Sequence, residues 1–218
     1  MPTKNQTSKI LDILKKNQKT QRKTTLNRES KTYTSFQTLI SCLLSLRSKD
    51  ETTEKVSKKL FAKAKTPKQI LKLTNKQLEK LIFSSGHYKK KASTIKHVSK
   101  VVLQKYNNKV PDSEEELLKI KGIGRKTSNI VLCLAYNKCV IPIDTHCHRI
   151  PNRIGWVKTK TPDQTEQELY KIIPKKYWKS FNEIFVLFGR TICLPISPLC
   201  SKCPIKNYCK KVGVTNFR

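Results

Sequence analysis

Four of the eight cysteines in this 218-residue chain fall within one short run, CLPISPLCSKCPIKNYC, as Cys193, Cys200, Cys203 and Cys209 with six, two and five residues between them. Four thiolates so close along the chain can surround a single centre. Zinc ribbons usually place two C-x-x-C knuckles far apart, whereas one knuckle flanked by single cysteines suits a four-iron cluster at least as well as zinc. Cys42, Cys133, Cys139 and Cys147 show no such grouping and read as buried free thiols.

A second set of candidates lies in IKGIGRKTSNIVL, residues 120–132. The pattern is helix, Gly-x-Gly turn, helix. Gly122 and Gly124 allow backbone angles closed to other residues, so that successive N–H groups at the start of the second helix can converge on a phosphate oxygen. A tight helix–helix turn can also use two glycines without any ligand. Lys126 stands in the first turn of that helix, on the line continued by Ile130, Cys133 and Leu134. The positive end of the helix dipole, cationic surroundings and partial burial each disfavour a charged amine and leave it readier to act as a nucleophile. The ordinary alternative is a stem that covers apolar neighbours while the amine reaches water.

Asp144, in VIPIDTHCHRI, reads first as the N-cap of a following helix. A helix from Lys126 to Asn137 advances roughly 18 Å, and the extended stretch from Lys138 to Ile143 can travel about 20 Å back. Asp144 can therefore return to the level of Lys126, where a carboxylate could take a proton from the amine or offset positive charge developing nearby. Capping and catalysis are compatible at this position.

Elements able to position these groups are visible as helical spacing nearly everywhere: Phe36, Leu39, Ile40, Leu43 and Leu44, or Ile95, Val98 and Val102. No stretch alternates convincingly with period two. Breaks at residues 65–67, 84–87, 107–113, 121–124, 136–144, 158–163 and 193–198 separate the helical patterns, and Thr66, Ser113 and Asp144 are placed to cap the helices that follow. The expectation is an all-α protein of about ten helices of ordinary length.

The charge is extreme. There are 46 Lys and Arg against 15 Asp and Glu, a net charge of +31 spread along the whole chain. A polyanion, most commonly nucleic acid, is the natural partner, although an AT-rich genome alone also enriches lysine. A hydrophobic content of 37% suffices for a packed core. The start MPTKNQTSKILDILKK has no uninterrupted apolar region of the signal-peptide kind, and no apolar run approaches bilayer length. An intracellular protein without membrane contact is expected, and in that compartment a disulfide framework is not.

Hairpin, lysine, IDTH aspartate and cysteine quartet in this order resemble the endonuclease III family of helix–hairpin–helix DNA glycosylases, from about residue 28 to residue 209. The resemblance implies two helical domains: a six-helix barrel with the hairpin over 28–138, and a second domain from 1–27 and 139–218 that carries a [4Fe-4S] cluster. DNA would lie in the cleft between them. By position, Lys126 matches the family's Schiff-base lysine, Asp144 its catalytic aspartate, and Cys193, Cys200, Cys203 and Cys209 its cluster ligands. The implied partner is double-stranded DNA with damaged pyrimidines or abasic sites, bound by a monomer. The implied activity is bifunctional, excising oxidised pyrimidines and cleaving 3′ to the abasic site by β-elimination in base excision repair.

Several residues depart from the family pattern. Lys121 stands where proline usually precedes the first hairpin glycine, and with Gly122, Gly124 and Arg125 it would face phosphate. Arg47, in LLSLRSKD, takes the place of a glutamine that fills the gap left by a flipped nucleotide, and His87, in SSGHYKKKA, that of an apolar wedge. The loop LPISPL lacks the basic residues many relatives carry, leaving cluster-loop contacts to Lys202 and Lys206. Two alternatives compete. A monofunctional mismatch glycosylase would lack Lys126 and use an early-helix glutamate, absent from LLSLR. A noncatalytic iron–sulfur DNA-binding or redox-sensing protein would need neither Lys126 nor Asp144.

Overall fold

The computed structural model describes residues 2–18 and 23–218, and among them all regular elements are helical. Helices begin where a short polar side chain can take up N–H groups that the first turn leaves open. Thr3, Thr34, Thr66, Thr74 and Thr161 each accept from the N–H three residues on, while a glutamine there reaches back to the threonine's own N–H. Ser113 and Asp144 cap their helices without a glutamine partner. The three caps expected from sequence, Thr66, Ser113 and Asp144, are all present, each worth about 1 kcal/mol.

The chain forms two compact units, a central one, Thr25–Lys138, and a terminal one made of Met1–Thr24 and Cys139–Arg218. Of the latter, Met1 and residues 19–22 lie outside the described residues. Helix α1 (Lys4–Asn17) belongs to the terminal unit. The central unit then runs through α2 (Thr25–Glu29), α3 (Ser35–Ser45), α4 (Asp50–Lys63), α5 (Pro67–Lys72), α6 (Asn75–Ile82), α7 (Tyr88–Lys105), α8 (Glu114–Leu118) and α9 (Arg125–Tyr136). Residues 36–44 of α3 are buried without a break, polar Gln37, Thr38 and Ser41 included. A helix apolar on nearly every side belongs in the interior, and α3 packs against α4, α7 and α9. The Ser41 hydroxyl finds the Ser57 hydroxyl of α4 at 3.1 Å, so its burial leaves no orphaned oxygen.

The terminal unit continues with α10 (Thr145–Ile154), α11 (Pro162–Ile172) and α12 (Trp178–Thr191). Leu11, Ile150, Leu169, Phe181 and Phe185 fill its core, with the two phenyl rings stacked 4.3 Å apart. Polar bonds tie α1 to the far end of the chain: Thr7 Oγ1 donates to the Ile172 carbonyl at 2.9 Å, Gln18 Nε2 to that of Ile184 at 2.9 Å, and the Tyr177 hydroxyl meets Asp12 Oδ1 at 2.9 Å. Of the four ungrouped cysteines, Cys42, Cys133 and Cys147 are buried as expected, but Cys139 is exposed. It sits in the extended connection before α10, where no helix face covers it. No helix among the described residues is long and apolar enough to cross a membrane.

Glu29, at the end of α2, is 8% exposed. Burial, reinforced by the nearby Glu54 carboxylate and opposed by Lys58 and Arg28, pushes its carboxyl up from 4.5 to about 7. Between these values the folded state holds more protons than the unfolded one, so this group's contribution to stability falls as pH rises. Thermal unfolding should therefore show Glu29→Gln gaining on the parent chain from pH 5 to pH 7.5. A parallel pH dependence of the two melting temperatures would contradict this.

Candidate functional site

Helix α8 hands over to α9 through Lys119–Gly124. Gly122 has φ +100°, and a Cβ there would stand 2.6 Å from Thr94 Cγ2 of α7, so both conformation and space call for glycine. Gly124 differs from expectation. It is the N-cap of α9 at φ −98°, ψ 173°, extended backbone open to any residue, and nothing lies within 4 Å of the place its Cβ would take. Its missing side chain leaves open space beside the first-turn N–H groups of α9, which have no partner within their own helix. Lys121 is exposed, and Arg125 Nε lies 3.4 Å from Glu114 Oε1, drawing the start of α9 toward the start of α8.

Lys126 is exposed, so the partial burial suggested by its place on an apolar line is absent. Side chains in a helix lean toward its N-terminus, and one residue inside α9 that direction leads off the helix end. Cover begins at the next residue: Thr127 to Cys133 are all buried. The Lys126 charge is felt at Cys42 of α3, whose thiol is pushed up to about 12 by burial and drawn back slightly by the ammonium.

Arg47 and His87 are both exposed and both left-handed, at φ 54° and 47°. Their loops, which follow α3 and precede α7, are joined by a residue that pattern reading missed. Lys91, 7% exposed, donates to the Leu44 carbonyl at 2.7 Å, the Ser48 hydroxyl at 2.9 Å and the Ser85 carbonyl at 2.7 Å.

In the terminal unit, Asp144 Oδ1 accepts from the N–H of His146 at 2.9 Å and of Cys147 at 2.8 Å. Both cap bonds fall on one carboxylate oxygen, and Oδ2 takes no part in them. The same helix, α10, turns two arginines toward the cysteine-rich loop. Arg149 Nη2 donates to the Cys193 carbonyl at 2.7 Å, while buried Arg153 reaches the Leu194 carbonyl at 2.7 Å, the Pro195 carbonyl at 3.1 Å and Cys193 Sγ at 3.4 Å. Their i, i+4 spacing on α10 was the one available signal that these arginines share a face.

Cys193, Cys200, Cys203 and Cys209 all line one pocket, walled by Ile154, Phe188, Ile192 and Ile205. No three His, Cys, Asp or Glu side chains among the described residues are grouped to hold a metal ion. The four cysteines share the lining of this pocket. Burial, together with the charges of Cys209, Cys193 and Cys200, pushes the Cys203 thiol up to about 11 against a hydrogen bond from the Ile205 backbone. Ionising all four would place like charges in one pocket, which a cationic centre would offset.

Described elements that are all helical, with this hairpin between α8 and α9, make a helix–hairpin–helix architecture. The model of the HhH-GPD superfamily of base excision DNA repair proteins matches residues 40–175. Endonuclease III of Thermotoga maritima is 50% identical over 175 residues, 80% of this chain and 82% of that protein. Among solved structures, a non-covalent endonuclease III–DNA complex is similar with TM-score 0.88, and a trapped endonuclease III–DNA covalent intermediate with TM-score 0.87. Each is 34% identical, with 97% of both chains covered. The chain belongs to the HhH-GPD superfamily of base excision DNA repair proteins. Within it, the chain is a DNA glycosylase with AP lyase activity of the endonuclease III kind.

The two hairpin glycines should respond differently to substitution. Gly122→Ala forces a left-handed side chain against Thr94 and should cost about 1–2 kcal/mol of stability or more, whereas Gly124→Ala should leave denaturant midpoints unchanged. Equal effects on unfolding would show that the turn does not discriminate between them.

Proposed function

We propose that this chain excises oxidised pyrimidines from double-stranded DNA and then cuts the strand 3′ to the abasic site, with Lys126 as nucleophile and Asp144 as its carboxylate partner. The observation that carries the reading is an exposed amine in the first turn of a helix buried from Thr127 to Cys133, in a chain of a base excision repair family. A relative caught as a covalent intermediate with DNA supports covalent chemistry for this chain too.

The damaged nucleotide is flipped from the stack. The neutral Lys126 Nζ attacks C1′ of its sugar as the C1′–N bond breaks, and the departing base keeps the electron pair and takes a proton. Nζ loses a proton, then O4′ leaves C1′ and is protonated, which produces an iminium. Removal of a C2′ proton gives an enamine that expels the 3′ phosphate, and water releases the lysine. Asp144, with Oδ1 committed to the cap, offers Oδ2 to offset cationic character at C1′ and to take protons.

The remaining residues hold the substrate. Backbone amides at Gly122 and Gly124, with Lys121 and Arg125, bind backbone phosphate without reading sequence. Arg47 and His87 act on the base stack. The hairpin domain is 28–138, and the domain of 1–27 and 139–218 holds a [4Fe-4S] cluster on Cys193, Cys200, Cys203 and Cys209. Four cysteines lining one pocket beside Ile154, Phe188, Ile192 and Ile205 support such a group there. When bound, it cross-links the loop and supplies no step of the reaction. The protein acts as a monomer.

Duplex oligonucleotides carrying thymine glycol, with base release and strand cleavage read separately, test the assignment. Lys126→Ala should abolish cleavage while keeping most DNA affinity, since one cation of many is lost. Asp144→Asn retains a capping side chain and should slow base release by on the order of 10²- to 10⁴-fold with little change in melting temperature. Cleavage by the first variant, or full release by the second, would return these residues to ordinary surface roles. For the cluster, purified protein should be brown with about four irons per chain, and Cys203→Ala should lower iron content and loosen the C-terminal loop. Colourless protein with one zinc would refute it.

A further inference from the structure

The central unit carries five exposed non-glycine residues on left-handed backbone, Asn107, Asn108 and Asn137, which tolerate that region well, and two that do not share this tolerance, Arg47 at φ 54° and His87 at φ 47°, the latter directly after Gly86 at φ 67°. Such conformations persist only where the surroundings over-determine them. Beyond local turn bonds such as Ser48 N–H to the Ser45 carbonyl and Lys91 N–H to the His87 carbonyl, one buried amine links the two loops. Lys91 spends its three N–H donors on the Leu44 carbonyl at the end of α3, the Ser48 hydroxyl next to Arg47, and the Ser85 carbonyl two residues before His87. Ser48 Oγ donates in turn to the Ser85 carbonyl, closing the link between the loops. The three partner oxygens are neutral, and burial alone pulls the ammonium down to about 8. A lysine kept 7% exposed without a carboxylate partner is costly, and the chemistry at Lys126 does not use it.

We propose that Lys91 is a positioning residue for nucleotide extrusion: by tying the loop after α3 to the loop before α7, it holds Arg47 and His87 at the fixed spacing that a pair of side chains needs to open the stack. This rests on the reading of Arg47 and His87 as the pair that acts on the stack. Both side chains are exposed, so neither is held by packing of its own. Their placement comes from the backbone, and Lys91, with Ser48, ties the two stretches of backbone to one another.

The test uses the full chain with Lys91→Met, Arg47→Ala/His87→Ala, and all three changes together. Single-turnover release of thymine glycol from duplex is compared with cleavage of a single-stranded abasic oligonucleotide, where no stack must be opened. Lys91→Met should slow duplex release by about 10- to 100-fold, leave single-strand cleavage unchanged, and speed amide exchange at residues 45–49 and 84–88. The triple variant should be no slower than the Arg47/His87 variant, because Lys91 acts through that pair. Parental duplex rates in Lys91→Met, equal losses on both substrates, or a further full loss in the triple variant would each overturn the proposal. Should Lys91→Met fail to fold, Ser48→Ala removes one arm of the link and is read the same way with a smaller loss. A selective loss in Arg47→Ala/His87→Ala beside parental rates in Lys91→Met removes only the role of Lys91. No selective loss in the former removes the reading of the pair and the positioning role with it.

Discussion

Packing of α9 against the buried helix α3 is the contact on which the central unit's site depends. Phe36, Leu39, Ile40, Leu43 and Leu44 are almost fully enclosed, and each contributes about 1.5–3 kcal/mol through the water it leaves. With Thr127 to Cys133 committed to that interior, α9 is anchored along most of its length. Its first turn, its N–H groups and the Lys126 stem therefore point in a direction set by the core. An amine on a mobile loop would have to be ordered at each encounter, whereas this one is ordered by folding.

A single helix plays the corresponding part in the terminal unit. At its start, α10 holds Asp144 through two backbone bonds to one oxygen. Further along, Arg149 and Arg153 grip the loop of Cys193. Gly189 lets α12 come close to this helix, since a Cβ there would stand 2.2 Å from His146 Nδ1. The carboxylate and the cysteine loop thus share a rigid support, and a loop that loses its shape loses bonds to the helix that presents the aspartate.

The parts legible in sequence were those whose physics is local. Caps at Thr66, Ser113 and Asp144 follow from a side chain and the amides just beyond it, and the all-α architecture follows from helical spacing. The hairpin was only half legible. Gly122 needs its left-handed angle, but Gly124 takes an ordinary one, and two identical letters carry no record of φ. Lys126 looked like the head of a buried stripe because spacing ignores the lean of side chains toward the helix start. Cys139 looked like a core thiol because only three dimensions show that its strand of chain is uncovered. Lys91 was invisible for a deeper reason: two of its three partners are backbone carbonyls, one of them 47 residues away, and no residue type announces that.

The central claim is that chemistry passes through one amine whose direction the α3–α9 core fixes. Borohydride added during turnover on an abasic duplex reduces the imine to a stable bond, and peptide mass mapping then locates it. The account predicts one adduct, on Lys126. An adduct on Lys121, spread over several lysines, or absent while strand cleavage proceeds would contradict it.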